Sequence, residues 1–578
     1  MAQRGHGTRR VWLPAAFLGA FALVILGRLV QLQVIEHGAY ARQTREEQTA
    51  DATFYARRGS ILDRNGNVLA ASVDTWNVYV SGRTWRAPER SGPASQQLAS
   101  LIRMDAVALR AMVAGKNGDV LVARDVDYAT GNAIAAAEIP GVVLLPDSKR
   151  VTPEGDVGAS VLGLTGLDNT GLAGIELSHN GELLGKPGQA VYERDTTGDP
   201  IPFGRSVVEE PQPGQDLVLT IDRYLQQMAE QKLDAAVKEH RAQGGSVIMM
   251  DPHTGEILAL ASSPGLKYSS LDLSDKKQVE LLKNRAVTDL YEPGSVMKVV
   301  TAAAAIDQGL VTPDTSYVDT GEIRLYDVTI KNWDDRVYGV QTMTGVLQNS
   351  INTGAVFMVE KLGQPLFHKY LDAFGFGRTT GIDLSGEAEG IIRKPGDEHL
   401  DPPWSPVDLA TQSFGQSISV TPIQMLSAIA ACINGGLLMK PHLVAATIDG
   451  RGVRHDIAPT VEGRVISEQT SATIRMMLEK VVNPGRPDPM QPRNYTAGGK
   501  SGTANVPVAS GYDDRQIASF VEFAPTDNPR LIVLVKLDQN QDLLTGRVAA
   551  APVAAAILDD ALNYLNVLPS DVNKQVRR

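Results

Sequence analysis

The chain has 578 residues, of which 43% are hydrophobic and 21% are charged. This composition is that of a folded globular protein and excludes a largely disordered chain. The formal net charge of −11 gives nucleic acid no overall attraction, so we expect no nucleic-acid partner. The chain has one cysteine, Cys432, which lies in an apolar run, so an internal disulfide is excluded and a buried core thiol is predicted.

The N-terminal segment is predicted to be an uncleaved membrane anchor over residues 11–35. Three arginines lie in the first ten residues, Val11 to Gly27 has no charged side chain, and apolar residues continue to Ile35. A helix of this length crosses a bilayer. The alternative is a signal peptide cleaved near Ala22, which has small residues around it. With the anchor retained, residues 1–10 are expected in the cytoplasm and the rest of the chain outside, at the cell membrane.

Residues 36–212 are predicted to form a separate, mostly β pedestal domain. The polar segment from Glu36 to Arg58 has helical spacing and is predicted to continue the anchor helix as a stalk. Asn65-Gly66 lies between two short apolar runs and is typical of a β-hairpin turn. A Pro-rich stretch at 209–214 marks the end of this domain. Histidine, cysteine and paired acids are not concentrated here, which favours a scaffold.

Residues 213–565 are predicted to form a second, α/β domain, followed by a tail at 566–578. A strand at 216–222 precedes a helix at 223–240, two hairpins follow, at 246–262 and 519–536, and an Ala-rich helix at 549–565 closes the domain. Strands at both ends with helical sequence between them predict a sheet assembled from distant parts of the chain and covered by helices.

The first chemical motif is Ser295-Val-Met-Lys298, directly after Pro293-Gly294. The Pro-Gly pair places Ser295 at a helix start, and residues three apart share one helix face. A lysine with a lowered pKa can therefore act as the base that activates the serine. Alone, such a match is more often an N-cap serine followed by a surface lysine.

Two further motifs follow in the order that this chemistry needs. Ser350-Ile-Asn352 follows a helical segment and is predicted to lie on a loop, and Lys500-Ser501-Gly502-Thr503 follows two glycines and is predicted to lie on a strand. The second group is not a phosphate-binding loop, because Asn494 occupies the position of its first glycine. The histidines and Cys432 show no metal-binding spacing. The trio S-x-x-K, S-x-N and K-[ST]-G is typical of penicillin-binding proteins and related β-lactamases.

With these motifs the sequence resembles the class B penicillin-binding proteins, the bitopic peptidoglycan D,D-transpeptidases, over nearly its whole length. Further segments that match the family are 58–70, 171–176, 291–295, 414–424 and 550–553. The resemblance implies a serine β-lactamase/transpeptidase-like catalytic domain behind the pedestal domain and one transmembrane helix. Ser501, where threonine is common, and Ser417 and Glu522, where glycine is expected, depart from the family pattern. The last two put fine substrate preference in doubt.

The resemblance also implies a role for each motif residue. Ser295 attacks a stem peptide, Lys298 takes its proton, Ser350 returns a proton and Asn352 positions the peptide. Lys500 acts electrostatically, and Ser501, Gly502 and Thr503 bind the substrate carboxylate, with the N–H groups of Ser295 and Thr503 as the oxyanion hole. No cofactor and no metal are needed.

The implied partners are peptidoglycan stem peptides, β-lactams, a SEDS-type polytopic membrane glycan polymerase and divisome proteins. A role in division is favoured over one in elongation by the Glu-Pro-Gly-Ser295 context and the modest pedestal. The alternatives are a D,D-carboxypeptidase or β-lactamase with water as acceptor, a β-lactam sensor that only signals, and an inactive scaffold. The short N-terminal segment argues against a sensor, and the intact trio argues against a scaffold.

Overall fold

The computed structural model describes residues 7–38, 40, 49–54, 56–194, 200–397, 403–483, 488–508, 511–540 and 544–570. These residues divide into two compact units that interleave along the chain. Unit 1 comprises Met1–Arg57, Val73–Lys149 and Lys186–Gln212, and unit 2 comprises Arg58–Ser72, Arg150–Gly185 and Pro213–Arg578. Two segments from the predicted pedestal, 58–72 and 150–185, therefore belong to the same compact unit as residues 213–565.

The N-terminal segment contains the predicted apolar helix. Helix α1 spans Gly7–Val30 and continues as a π-helical turn over Gln31–Ile35. The stretch Trp12–Ile35 is long and apolar enough to cross a membrane. The predicted helical stalk is wrong at Thr49–Phe54, which forms strand β1. β1 pairs antiparallel with a strand starting at Gly188, and this non-local hydrogen bonding overrides a weak local helical pattern. The part of the stalk at 41–48 lies outside the described residues.

Unit 1 contains a three-stranded antiparallel sheet and a separate small core. The sheet has the order β1-β8-β9. The core packs buried residues such as Val78, Val80, Leu98 and Ile134 from strands and short helices. The elements are β3 (Val68–Ser81, from Val73 in this unit), α2 (Pro88–Ile102), α3 (Ala106–Val113), β4 (Asp119–Val126), α4 (Tyr128–Ala136), β5 (Val142–Val151, to Lys149 in this unit), β8 (Gly188–Arg194) and β9 (Pro200–Glu209).

The two early segments of unit 2 contain the predicted hairpin and a buried ion-pair cluster. Strand β2 (Ile61–Leu62) pairs antiparallel with the start of β3, and the turn residue Gly66 has φ +84°, which confirms the hairpin. Arg58 is 1% exposed and its Nε donates to Glu176 Oε2 over 2.6 Å, while Arg150 Nε donates to Glu176 Oε1 over 2.7 Å. The ion pair between Arg58 and Glu176 thus joins the motif segments 58–70 and 171–176, and the same carboxylate also binds Arg150.

The centre of unit 2 is a five-stranded antiparallel sheet, whose strands in spatial order are β12 (Ile257–Ser263), β11 (Gly244–Met250), β25 (Leu531–Asn540), β24 (Gly511–Ala524) and β23 (Gly498–Val508). Its strands come from residues 244–263 and 498–540, which confirms a sheet built from distant parts of the chain. On one face, residues such as Ile248 and Val521 join the core around the helix Met297–Asp307. On the other face, residues such as Val535 pack on the helices at 223–239 and 551–564. Both helices match their predictions, and Cys432 is buried as expected.

The remaining elements of unit 2 build the helical layer and its small hairpins. The helices are α5 (Ala159–Leu162), α6 (Gly174–Ser178), α7 (Asn180–Leu184), α8 (Arg223–Glu239), α9 (Lys276–Glu280), α10 (Arg285–Thr288), α11 (Met297–Asp307), α12 (Met343–Asn349), α13 (Asn352–Ala373), α14 (Pro406–Gln412), α15 (Pro422–Ile433), α16 (Glu468–Val482), α17 (Gly546–Ala549) and α18 (Ala551–Tyr564). The strands are β6 (Leu164–Thr165), β7 (Gly171–Ala173), β10 (Asp216–Leu219), β11 (Gly244–Met250), β12 (Ile257–Ser263), β13 (Ser316–Asp319), β14 (Glu322–Leu325), β15 (Val328–Lys331), β16 (Gly339–Thr342), β17 (Ile391–Ile392), β18 (Ile418–Ser419), β19 (Leu437–Met439), β20 (Val444–Ile448), β21 (Arg454–Asp456), β22 (Val461–Arg464), β23 (Gly498–Val508), β24 (Gly511–Ala524) and β25 (Leu531–Asn540).

Candidate active site

The three predicted motifs converge on one site in unit 2, each on a different element. Ser295 lies in a single 3-10 turn over Gly294–Val296, and Lys298 lies in the first turn of α11. Ser350 caps the C-terminus of α12, and Asn352 is the first residue of α13. Lys500, Ser501, Gly502 and Thr503 lie on β23, at an edge of the described five-stranded sheet. The predicted helix start and strand are confirmed, whereas Asn352 lies in a helix rather than a loop.

Lys298 is the centre of the hydrogen-bond network. Its side chain is fully buried, and Nζ lies 2.9 Å from Ser295 Oγ, 2.6 Å from the carbonyl oxygen of Ser350 and 2.8 Å from Asn352 Oδ1. Burial, and then the nearby Lys500 cation, hold the pKa of the Lys298 ammonium well below its ordinary value. A lysine in this state can accept the proton of the serine that it contacts.

Lys500 reaches the same site from the sheet. It is 2% exposed, and its Nζ donates to Ser350 Oγ over 3.0 Å and to the Ser501 carbonyl oxygen over 3.1 Å. Ser350 Oγ is also 3.3 Å from Lys298 Nζ, so one hydroxyl lies between the two amino groups. Burial, and then the charge of Arg547, lower the pKa of Lys500 to about 7.

Two glycines allow the turn that carries Ser295 to lie directly against β23. Gly294 has φ +54°, and a Cβ added there would lie 2.7 Å from the carbonyl oxygen of Thr503. A Cβ at Gly502 would lie 2.6 Å from the carbonyl oxygen of Pro293. Any side chain at either position would push Ser295 away from the strand that carries Lys500. Thr503 Oγ1 accepts a hydrogen bond from the N–H of Gly546 over 3.1 Å, which fixes its orientation.

The segment at 414–424 forms hydrogen bonds with the residues around Ser295. From the sequence this segment was only a match to the family, with no role assigned to it. The N–H of Gly294 donates to the Gly415 carbonyl over 3.0 Å, and Tyr291 exchanges two backbone hydrogen bonds with Val420. Ser417 has φ +56°, and its N–H donates to Glu292 Oε1 over 2.8 Å. The positive φ is the physical reason why glycine is expected there.

Glu522 lies on the sheet face opposite to Lys500. Along β24 it alternates with Val521, which faces the core around α11, so its side chain is directed towards the helices α8 and α18. It is fully buried, and neither carboxyl oxygen has a hydrogen-bond partner among the described residues. Burial, and then Asp559, raise the pKa of Glu522 well above its ordinary value. Glu522 therefore belongs to the packing between the sheet and the helices α8 and α18, and it does not contact the site.

A serine in contact with a buried lysine at the start of a helix, with a second lysine on the adjacent strand, is typical of the serine transpeptidase and β-lactamase class. Models of known protein families match this chain and agree with that class. The model of the penicillin-binding protein transpeptidase domain matches residues 245–559, and that of the penicillin-binding protein dimerisation domain matches residues 53–219. The chain belongs to the penicillin-binding protein transpeptidase family, and its resemblance to the class B proteins is confirmed.

Relatives and solved structures align over most of the chain. It is 34% identical to Stage V sporulation protein D of Bacillus subtilis over 559 residues, which is 95% of this chain and 84% of that protein. It is 30% identical to peptidoglycan D,D-transpeptidase FtsI of Escherichia coli over 586 residues, 98% of this chain and 94% of that protein. Penicillin-binding protein 3 of Mycobacterium tuberculosis, solved with aztreonam, superimposes with a TM-score of 0.68 at 28% identity, covering 90% of this chain and 98% of that chain.

Proposed function

We propose that this chain is a serine-type peptidoglycan D,D-transpeptidase that cross-links stem peptides and is inhibited by β-lactams. The observation that carries the proposal is the 2.9 Å contact between Lys298 Nζ and Ser295 Oγ, made by a buried lysine whose pKa is lowered. The family, a relative named peptidoglycan D,D-transpeptidase, and a structural neighbour solved with aztreonam support it.

In the proposed first step, Ser295 Oγ forms an ester bond with the carbonyl carbon of the penultimate D-Ala. Lys298 Nζ takes the hydroxyl proton, and the N–H groups of Ser295 and Thr503 stabilise the oxyanion. The C–N bond to the terminal D-Ala then breaks. Ser350, which lies between Lys298 and Lys500, passes a proton to the leaving amine, and the terminal D-Ala departs.

In the second step, the amine of a neighbouring stem peptide attacks the ester and gives its proton to Lys298. A new amide bond forms, the ester bond to Ser295 Oγ breaks, and Lys298 returns the proton to this oxygen. The edge position of β23 supports binding of an extended peptide alongside it, and Asn352 positions that peptide. Lys500, Ser501, Gly502 and Thr503 provide a cation, two hydroxyls and close backbone access for the terminal carboxylate.

Acylation by penicillin, followed by mass spectrometry of a proteolytic digest, tests the assignment of Ser295. We expect the added mass on the peptide that contains Ser295 and no adduct in Ser295→Ala. An adduct on another serine would refute the assignment. Incubation with a stem-peptide substrate and an amine acceptor then separates the reaction types: cross-linked product supports a transpeptidase, and hydrolysed product alone supports the carboxypeptidase alternative.

We further propose that the protein is anchored by α1 with its N-terminus in the cytoplasm and that it acts in division beside a SEDS-type glycan polymerase and divisome proteins. The three arginines before the apolar stretch support the orientation. The Glu-Pro-Gly-Ser295 context supports division over elongation. Depletion followed by microscopy tests this choice, because filaments indicate division and round cells indicate elongation.

A further inference from the structure

Lys536 is a buried cation in the middle of the sheet, and the mechanism above does not use it. It lies on β25, where the preceding residues Leu531 to Val535 are all apolar and buried, and it is itself 2% exposed. The register places it opposite Ser246 on β11 and Ser519 on β24. Its neighbours along this face, such as Leu534, belong to the core around α11, so Lys536 is directed towards the catalytic face. A buried ammonium is costly unless it has partners.

The partners of Lys536 are a carboxylate and an aromatic ring. Its Nζ forms an ion pair with Asp538, two residues along the same strand and on the same face. The same Nζ lies 5.2 Å from the centroid of the Tyr291 ring, a cation–π distance. Tyr291 is 3% exposed, so this contact between the ammonium and the ring is shielded from water.

Lys536 and Asp538 each contact a residue of the segment that precedes Ser295. Asp538 also accepts from Arg285 Nη1 over 3.4 Å, and the same nitrogen contacts Asp289 over 2.9 Å. Arg285 begins α10, and Tyr291 lies four residues before Ser295. The segment 285–295 is therefore attached to β25 at two points, through side chains. Its backbone is held separately, by the 415–420 segment.

We infer that Lys536, paired with Asp538, is a positioning residue that fixes the Tyr291–Ser295 turn for acylation. Fold stability alone does not require such a pair, because a buried ion pair can often be replaced by apolar residues without loss of stability. Fast acylation does require a fixed turn, since a shift of about 1 Å in a reacting group can lower the reaction rate roughly 100-fold. The inference rests on the proposed function only through the acylation of Ser295.

The test separates penicillin binding from acylation by stopped-flow kinetics in the purified full-length chain. In Lys536→Met we expect the acylation rate constant to fall about tenfold, with the dissociation constant of the initial complex unchanged. Lys536→Arg keeps a cation that stacks on aromatic rings and is expected to recover part of the rate. Lys361→Met is the matched control, because Lys361 Nζ lies 4.9 Å from the Phe357 ring and takes no part in the cluster.

A double variant, Lys536→Met with Asp538→Asn, leaves no uncompensated carboxylate and keeps the test valid if Lys536→Met does not fold. It is expected to remain slow, because the cation on the Tyr291 ring is absent. A wild-type acylation rate in Lys536→Met, or recovery of that rate in the double variant, would overturn the inference. If the wild-type protein itself is not acylated at Ser295, the proposed function fails instead.

Discussion

The lowered pKa of Lys500 predicts an unusual pH dependence of acylation. If the site needs Lys500 as a cation, the second-order rate constant for penicillin reports its charge in the free enzyme. With a pKa of about 7, half of the molecules carry this charge at neutral pH. Above that pH the charged fraction falls about tenfold per pH unit, so we expect the rate constant to fall by the same factor. On the acid side, protonation of Lys298 lowers the rate.

Substitution of Lys500 isolates this effect. Lys500→Arg keeps a charge that does not titrate in the accessible range, so the alkaline decline is expected to disappear, although the altered shape lowers the rate at neutral pH. Lys500→Ala is expected to be slower by roughly 10²-fold, about 2.7 kcal/mol in the barrier. The assay is stopped-flow acylation with a fluorescent penicillin between pH 5 and pH 10, with thermal unfolding recorded at each pH.

Two results would refute this reasoning. A rate constant that stays flat up to pH 9 in the wild-type protein would show that Lys500 does not lose its proton in this range, or that its charge is not needed. An alkaline decline that persists unchanged in Lys500→Arg would assign the titration to another group.

Three further predictions test the site and its support. Ser295→Ala and Lys298→Ala act on one step, so the double variant is expected to turn over a stem-peptide substrate about as slowly as either single one, whereas multiplied losses would separate the two residues. Glu522→Gln is expected to raise the melting temperature more at pH 8 than at pH 5: the raised pKa of Glu522 makes the wild-type fold lose stability as pH rises above the ordinary carboxyl range. Glu176→Ala is expected to destabilise unit 2 by about 3–5 kcal/mol in chemical denaturation, because it leaves Arg58 and a second guanidinium buried without their shared carboxylate.

The parts of the fold that local patterns determine were predictable from the sequence. The amphipathic helix at 223–239 and the hairpins around Gly66 and at 244–263 match their predictions, because periodicity and turn residues act over a few positions. The strand Thr49–Phe54 was predicted as helix, because its pairing partner lies more than 130 positions away. Local sequence carries no signal for a partner at that distance.

In the candidate site, too, local features were predictable from the sequence and tertiary contacts were not. A helix start at Ser295 and a strand at Lys500 follow from local sequence, but their convergence was implied only by the family resemblance. Lys536 was missed, although the sequence contains a signal for it: a lysine and an aspartate two positions apart directly follow five apolar residues in one strand. Two charges on one face of a buried strand indicate an internal ion pair. Which ring they would contact depends on the tertiary packing of Tyr291.

The proposed mechanism gives the two lysines of the site different roles, because charging both amino groups at once is costly. Ser350 Oγ lies 3.3 Å from one amino group and 3.0 Å from the other, and among the described residues no carboxylate forms an ion pair with either. In such a site, a charge on one amino group raises the free-energy cost of protonating the other. Lys298 has a lowered pKa and contacts the Ser295 hydroxyl, so it is the lysine placed to act as a base. In the proposed mechanism Lys500 acts in its charged form, and Ser350 connects the two amino groups along a path for the proton that the leaving amine needs.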